Sequence, residues 1–187
     1  MEIFLDFEKP IVDLEGRIKE LSHLSSEGNE SAALEIASLE KKINEVIGQI
    51  YSKLAPWQKV LVSRHPKRPH FKDYIAQLID DYVPLSGDRY YGDDRALLGG
   101  VGNFRGTSVI VIGQEKGSDT KSRLYHNFGM AHPEGYRKSV RLMELANKFK
   151  LPVLTFIDTT GAYPGVEAEE RGQAQAIAKS IEACLAI

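Results

Sequence analysis

The sequence predicts an α/β fold preceded by an N-terminal antiparallel helical hairpin. Three observations carry this prediction. Apolar residues in the first quarter of the chain recur at helical spacing, two extended segments flank a turn dipeptide, and strand-like and helical segments alternate after residue 133. Such alternation is typical of a sheet with a parallel crossover. We therefore expect a helical extension over residues 1–85 and an α/β domain over residues 86–187.

The hairpin is predicted from two apolar seams that the polar segment 25–30, containing Gly28, separates. Residues three and four apart lie on one face of a helix, and two such helices joined by a short loop fold back on each other. Packing of the pair on itself is one interpretation, and a surface for a partner chain is the alternative. The seams consist of Phe4, Phe7, Ile11, Leu14, Ile18 and Leu21, and of Ala32, Ile36, Leu39, Ile43, Val46 and Ile50.

A basic loop and a short helix are predicted next. Pro66 and Pro69 prevent a regular helix in residues 63–71, and the helix that follows is expected to end at Pro84. The loop is expected to be solvated, and contact with phosphate or an acidic partner is the alternative. Its basic and imidazole side chains belong to Arg64, His65, Lys67, Arg68 and His70.

The remaining elements follow from a change in the spacing of apolar residues, from a helical to an extended pattern. Residues 96–104 and 107–114 read as a β-hairpin, with residues 109–112 buried on both faces. A helix is expected to start at Pro133, where proline suits the first turn. A buried strand over residues 151–158 and a single closing helix over residues 167–187 complete the order.

Composition excludes several function classes. The 187 residues are 42% apolar and 27% charged, with 24 Lys and Arg against 26 Asp and Glu, so no global charge draws the chain to nucleic acid or an anionic membrane. No apolar stretch is long enough to span a bilayer. The single cysteine, Cys184, excludes an internal disulfide and a Cys-rich zinc site, and we expect it to be a packed core thiol. A cytoplasmic location is expected.

The junction IDTTGAYPG, residues 157–165, is the most informative stretch. A buried strand delivers the chain to the sheet edge where α/β proteins bind ligands. Gly161 and Gly165 permit positive φ and close approach of the backbone, while Pro164 stiffens the loop. The following helix starts with acidic residues that suit its dipole. The junction is expected to form a backbone wall that shapes a pocket or aims main-chain N–H groups at a developing anion, and a purely structural tight turn is the alternative.

This junction and three further motifs carry a family resemblance. In chain order the four motifs are LDFEKPIVDLEGRI, IGQEKG, NFGMAHPEGYRKSVRLMELANKF and IDTTGAYPGVEAEERGQ. Together they resemble the α subunits of bacterial acetyl-CoA carboxylase carboxyltransferase, from about residue 4 to about residue 182. The resemblance implies a crotonase/ClpP-type fold, an incomplete spiral of β-β-α units behind the helical hairpin.

The same resemblance implies a function. The family transfers a carboxyl group from carboxybiotin, on the biotin carboxyl carrier protein, to acetyl-CoA, giving malonyl-CoA for fatty-acid synthesis in an ATP-dependent complex. An α₂β₂ heterotetramer acts together with biotin carboxylase, and zinc belongs to the β subunit, so this chain is expected to hold no metal and no tightly bound cofactor. CO₂ release leaves charge on the ureido oxygen of biotin, a ureido nitrogen takes a proton from the acetyl methyl, and the thioester enolate attacks CO₂.

The resemblance also implies site residues. The biotin pocket is expected at Gly161, Ala162, Tyr163, Pro164 and Gly165, while the catalytic residues are unknown because the oxyanion-hole glycines are expected beyond residue 187. The chain is thus expected to be an N-terminal portion that is inactive alone. A solvated or salt-bridged surface role is expected at Lys116, Arg123, Arg137, Lys138 and Arg141, with contacts to CoA phosphates or the carrier protein as the alternative; His126 and His132 receive no role.

Two departures and two rivals accompany this interpretation. Thr160 and Ala131 stand where the family usually has proline, which puts loop rigidity in question. A nucleotide-binding switch protein is disfavoured because Lys116 precedes Gly117 and the G-x-x-x-x-G-K-[ST] spacing is absent, although residues 158–161 match D-x-x-G. The other rival is a truncated, non-catalytic chain that only binds the β subunit or nucleic acid.

Overall fold

The structure is a computed structural model that describes residues 4–25 and 30–187, with side chains outside residues 23–30. It comprises two compact units, Met1–Arg68 and Pro69–Ile187. Residues 69–85, which the sequence assigned to the helical extension, thus belong to the second compact unit. The predicted hairpin loop with Gly28 lies outside the described residues.

The first unit contains the predicted helical hairpin. After a 3₁₀ turn at Asp6–Glu8, helix α1 spans Lys9–Ser25, α2 spans Glu30–Tyr51 and α3, which the sequence pattern did not predict, spans Pro56–Ser63. The ring of Phe7 lies 6.2 Å, edge-on, from that of Tyr51, whose hydroxyl donates to Glu8. The start of α1 therefore meets the end of α2. All the seam residues except the exposed Phe4 are buried or half-buried.

The second unit is built on a four-stranded sheet in the order β1-β2-β3-β4. The predicted hairpin consists of β2 and β3, with Phe104 paired to Thr107 and both turn residues at positive φ. Strand β4 lies parallel to β3, as the crossover pattern predicts. The strands are β1 (Asp80–Pro84), β2 (Leu97–Phe104), β3 (Thr107–Gln114) and β4 (Val153–Phe156).

One helix ends earlier than its pattern predicted. Helix α4 covers Phe71–Leu78, and the chain then forms β1 instead of continuing to Pro84 as a helix. The glycines of β2 explain this, because a Cβ on Gly100 would overlap the carbonyl of Val83, and one on Gly102 would overlap the side chain of Ile79. The bare backbone of β2 thus lets residues 80–84 pair as an edge strand, and this pairing overrides the local helical period.

Four helices and a 3₁₀ turn follow β3 in the chain. The predicted helix at Pro133 is confirmed. Helix α5 was not predicted; the side chain of Asp119 accepts the N–H of Ser122 and caps this helix. The closing helix is split, because Gly172 adopts φ +79°. The elements are α5 (Thr120–Tyr125), the turn (Asn127–Gly129), α6 (Pro133–Phe149), α7 (Val166–Glu170) and α8 (Gln173–Cys184).

Strand β3 carries the core on both of its faces. Ile110 and Ile112 pack with Leu142 and Met143 of α6, and the intervening pair Val109 and Val111 packs with Phe71 and Ile75 of α4 on the other side. The predicted burial of residues 109–112 is confirmed, whereas β4 is only half-buried.

Cys184 does not lie in the core. It is exposed at the last residue of α8, and its Sγ lies 3.6 Å from Met143 Sδ, so the expectation of a packed core thiol is wrong. In the part of the chain that the structure describes, no helix combines the length and the apolarity required to cross a membrane.

Replacing Gly113 by Ala is expected to destabilise the second unit by about 1–3 kcal/mol. A Cβ at this position in β3 would overlap the ring of Phe71 and lie 2.9 Å from Cβ of Phe156, and both neighbours belong to the core. Chemical denaturation measures the change. Gly48→Ala is the matched control, because its Cβ meets nothing within 4 Å in α2, and we expect it to be neutral or stabilising. Equal losses in both variants would contradict this packing.

Candidate functional site

Two loops leave the sheet from one edge. Strands β3 and β4 are parallel, with Gly113 opposite Phe156, so their carboxyl ends lie side by side. The segment 127–132 joins them, because Ala131 forms a parallel bridge with Ala162 and its carbonyl accepts the N–H of Tyr163 at 3.1 Å. The carboxyl ends of parallel strands are where α/β proteins place ligands, which makes this edge the candidate site.

An ion pair spans the two strand ends. Lys116 Nζ lies 2.5 Å from Asp158 Oδ1, and both side chains are partly exposed. The Asp158 N–H donates to the side-chain oxygen of Gln114 at 3.1 Å, which ties β4 to β3 beyond the ladder. Gly129, at φ +77°, lies against this pair; a Cβ there would come 2.8 Å from Lys116 Cγ. The absence of a side chain at Gly129 therefore leaves room for the lysine stem.

Residues 158–165 after β4 form the glycine bend. This bend is exposed, and it is held by hydrogen bonds within the protein. The hydroxyl oxygen of Thr159 lies 2.7 Å from the carbonyl of Gly129 and accepts the Gly161 N–H at 3.0 Å. Gly161 adopts φ +144°, a conformation that L side chains rarely tolerate. Gly165 has φ −85°, so it does not use the positive φ that a glycine permits. Glycine is needed at 165 because a Cβ would overlap the ring of Tyr163.

Tyr163 is held on three sides. Its ring lies 4.3 Å from that of His132, and its hydroxyl hydrogen-bonds Glu167, which raises the pKa of Tyr163. The side-chain amide of Gln173 donates to the carbonyls of Ala131 and Tyr163, both at 3.0 Å. These contacts fix the middle of the bend, while Pro164 is exposed and Ala162 half-exposed.

The bend therefore differs in part from the expected amide wall. The N–H groups of Gly161 and Tyr163 bond within the protein, and those of Ala168 and Glu169 bond the carbonyl of Gly165. Because α7 has only five residues, its amides make no extended N-terminal surface. The bend is nevertheless open to solvent at Thr160 and Gly161, so a ligand can reach it.

Of the predicted cations, Lys116 lies at this edge. Arg123 Nε donates to the carbonyl of Gly117 at 3.3 Å and supports the same loop. Arg137 bonds Asp88, Glu134 and the carbonyl of Arg171 at 2.7–3.2 Å. Its position away from the bend favours the expected salt-bridged role.

Two further predicted cations hold the loop before β2. The side chain of Lys138 is buried, and its Nζ lies 2.6 Å from Asp93 and 2.7 Å from the carbonyl of Asp94. Arg141 donates to the carbonyls of Leu85, Ser86 and Gly87. This geometry gives both cations a structural role and leaves the Lys138 ammonium committed inside the protein.

Two histidines gain partners that the sequence pattern did not reveal. His132 Nδ1 lies 3.2 Å from the buried carboxylate of Asp94, which also accepts the His132 main-chain N–H at 2.9 Å. His126 is buried, with Lys72 Nζ 2.9 Å from Nε2 and the carbonyl of Arg95 2.5 Å from Nδ1. The acidic pair Asp93-Asp94 before β2 is a sequence signal that could have indicated a partner for His132.

A cleft of about 620 Å³ lies beside the loop before β2. The guanidinium of Arg171 stacks 4.7 Å from the ring of Tyr91 and bonds Glu134 at 2.6 Å, and that of Arg137 lies 5.4 Å from the ring of Tyr90. Both arginines of this cleft are thus already paired with buried carboxylates. Among the described residues, no three His, Cys, Asp or Glu side chains are grouped as metal ligands.

With this geometry in place, comparison with known families is decisive. Residues 4–187 match the family described as acetyl co-enzyme A carboxylase carboxyltransferase-like. The chain belongs to this family. The glycine bend, the Lys116–Asp158 pair and the segment 127–132 all lie inside the matched range.

Individual members of the acetyl co-enzyme A carboxylase carboxyltransferase-like family are close in sequence. The acetyl-coenzyme A carboxylase carboxyl transferase subunit alpha of Rhodospirillum centenum is 60% identical over 182 residues, covering 97% of this chain and 57% of that protein. The subunit of the same name from Paramagnetospirillum magneticum is 58% identical over 181 residues, with the same coverages. The chain thus spans somewhat over half the length of these relatives.

Solved structures confirm the predicted crotonase/ClpP-like fold. The transcarboxylase 12S hexamer, with hydrolysed methylmalonyl-coenzyme A bound, superposes with a TM-score of 0.51 at 22% identity, covering 64% of this chain and 21% of that chain. The β subunit of geranyl-CoA carboxylase from P. aeruginosa gives 0.50 at 18% identity, with 79% and 32% covered. At these identities the likeness concerns the fold alone.

Asp88 is expected to make stability depend on pH in the acid range. Burial would raise its pKa, but the N–H groups of Tyr90, Tyr91 and Gly92 and the guanidinium of Arg137 lower it to about 2. Because the folded pKa lies below the ordinary value, the stabilisation is complete above about pH 4 and is lost as pH falls through about 2. Asp88→Asn should therefore cost about 1–2 kcal/mol at pH 7 and progressively less below pH 4.

Denaturation midpoints of the wild type and the variant at pH 7, 4 and 2.5 measure this difference. Asp13→Asn, which changes an exposed carboxylate of α1, is the control and should show no such trend. A stability difference for Asp88→Asn that stays constant from pH 7 to 2.5 would refute the assignment.

Proposed function

We propose that this chain is part of the α subunit of a biotin-dependent acetyl-CoA carboxylase carboxyltransferase. This subunit transfers the carboxyl group of carboxybiotin to acetyl-CoA and forms malonyl-CoA, the first step of fatty-acid synthesis. The observation that carries the proposal is the coincidence of two findings. Relatives close to 60% identical bear the name of this subunit, and three of the four motifs shared with the family, namely IGQEKG, the NFGM segment and IDTTGAYPG, meet at one exposed edge of the sheet.

The chain's own contribution to this reaction is positioning. A carboxyl transfer of this kind develops negative charge on the ureido oxygen of the co-substrate, and fixed donors beside that oxygen lower the barrier. At the edge of the sheet, the bend over residues 158–165 supplies a rigid, open wall, and Lys116 supplies a positive charge next to it. The roles proposed for Gly161, Ala162, Tyr163, Pro164 and Gly165 are therefore to shape the biotin side of the cleft.

The fit to a ureido ring can be judged from the groups that the edge offers. A cyclic urea needs a donor for its carbonyl oxygen and an acceptor for each ring N–H. The edge has both within one ion pair, with the ammonium of Lys116 beside the carboxylate of Asp158, and both are partly open to solvent. When bound, biotin supplies the carboxyl group, and the residues of this chain orient its ring.

Several partners follow from the proposed activity. We propose a β subunit, which would carry the zinc site, in an α₂β₂ heterotetramer, with biotin carboxyl carrier protein and biotin carboxylase supplying the carboxylated biotin. Acetyl-CoA is the acceptor substrate, and the cytoplasm is the proposed location.

Malonyl-CoA formation tests the proposed function. The full-length polypeptide that carries this sequence, assembled with its β subunit, should form malonyl-CoA from acetyl-CoA and carboxylated carrier protein, as measured by mass spectrometry. Gly165→Ala should lower this rate by about 10–100-fold, because the added Cβ displaces Tyr163 from the bend.

Gly48→Ala again serves as the control and should leave the rate unchanged, because it lies in α2 with no neighbour at its Cβ. The 187-residue chain, assayed in parallel with the β subunit, is expected to be inactive. Absence of product from the full-length assembly would overturn the proposal, and full activity of Gly165→Ala would refute the role of the bend.

A further inference from the structure

We infer that the Lys116–Asp158 ion pair recognises the ureido ring of biotin, with the ammonium donating to the carbonyl oxygen and the carboxylate accepting from a ring N–H. This inference rests on the proposed function, because biotin is a ligand only if the chain takes part in carboxyl transfer. It assigns ligand specificity to two side chains, rather than to the glycine bend alone.

The ion pair has hydrogen-bond donors on the Lys116 ammonium and one acceptor on the Asp158 carboxylate that no described protein group uses. Among the described residues, Lys116 Nζ has Asp158 Oδ1 as its one polar partner, at 2.5 Å, so further ammonium hydrogens are available. Asp158 Oδ2 has no hydrogen-bond partner in the same part of the chain. The exposed fractions of the two side chains, 24% and 41%, mean that a ligand can reach both groups.

The surroundings hold the pair in a fixed place. Each residue lies two positions beyond the end of its strand, and the two strands are in parallel register. The glycine at 129 leaves the space through which the lysine stem passes. The residue before it, Phe128, adopts a left-handed conformation at φ +54°, which is strained for a bulky side chain. The chain thus accepts backbone strain next to the glycine that contacts the lysine stem.

A purely structural role explains the pair less well. The two strand ends are already joined by the Gln114 side chain bonding the Asp158 N–H, and the bend is joined to segment 127–132 by the Thr159 hydroxyl and the Tyr163 N–H. A partly exposed ion pair adds little to stability. The pair is therefore not needed to hold the edge together. Its remaining hydrogen-bond donors and acceptor are available to a ligand.

The hydrogen-bonding groups of biotin match the remaining donors of Lys116 and the remaining acceptor of Asp158. In biotin carboxylated on one ring nitrogen, the ureido carbonyl oxygen accepts hydrogen bonds and the second ring nitrogen still carries a hydrogen. A charge-assisted bond from the Lys116 ammonium strengthens as negative charge develops on that oxygen. The Asp158 carboxylate, which is held beside the ammonium, can accept the remaining N–H and so sets the orientation of the ring.

The test compares two ligands across matched variants of the full-length α subunit assembled with its β subunit. The ligands are free biotin and biotin methylated on the ring nitrogen that is not carboxylated. The wild type should bind the methylated ligand at least tenfold more weakly than biotin. Asp158→Ala should bind biotin about tenfold more weakly than the wild type and reduce the preference between the two ligands to less than threefold. Binding is followed by NMR titration.

Lys116→Gln should weaken binding of both ligands by a similar factor, because both keep the carbonyl oxygen, whereas Lys121→Gln, which changes an exposed lysine of α5, should change neither. Thermal unfolding midpoints equal to that of the wild type show that the variants are folded. If the wild type forms malonyl-CoA but Asp158→Ala keeps its preference for biotin, the inference is wrong and the proposed function stands. If the wild-type assembly forms no malonyl-CoA, both fail.

Discussion

The second unit depends on one constraint, the parallel pairing of β3 with β4. Strand β3 is buried on both faces. Residues 109–112 of β3 contact α6 on one side and α4 on the other, so this strand cannot shift without disrupting two clusters. Because β4 pairs with it in parallel, the position of β3 also fixes where β4 ends. Packing of apolar side chains thus determines where Lys116 and Asp158 meet.

Buried charges fix the loops around this edge. The carboxylate of Asp94 accepts the N–H groups of Ala96, Leu97 and His132, which joins the start of β2 to the start of α6. Glu115 accepts the N–H groups of Lys72 and Gly117 and shapes the loop after β3 in the same way. Each carboxylate is hydrogen-bonded where it is buried, which offsets the cost of removing its charge from water. These loops are therefore rigid supports for the site.

Much of this arrangement could be predicted from the sequence. Strand β3, the β2–β3 hairpin and helix α6 follow from local apolar period and from the residues at their ends, and the candidate edge follows from the glycine bend after β4. Strand β1 could not be predicted, because it forms only where glycines of β2 allow close approach. Nor could the partners of Lys138 and Asp94, because these contacts join residues that are far apart in the chain. The break at Gly172 was missed because an isolated glycine is tolerated within helices.

Two regions compete as the place where the proposed co-substrate binds, namely the edge formed by β3 and β4 and the cleft beside Tyr90 and Tyr91. Mapping of amide chemical shifts on the full-length α subunit during titration with free biotin distinguishes them most directly. We expect the largest changes at Lys116, Gly129 and residues 158–165. Changes concentrated at Tyr90, Tyr91 and Lys179, with the strand ends unaffected, would contradict it.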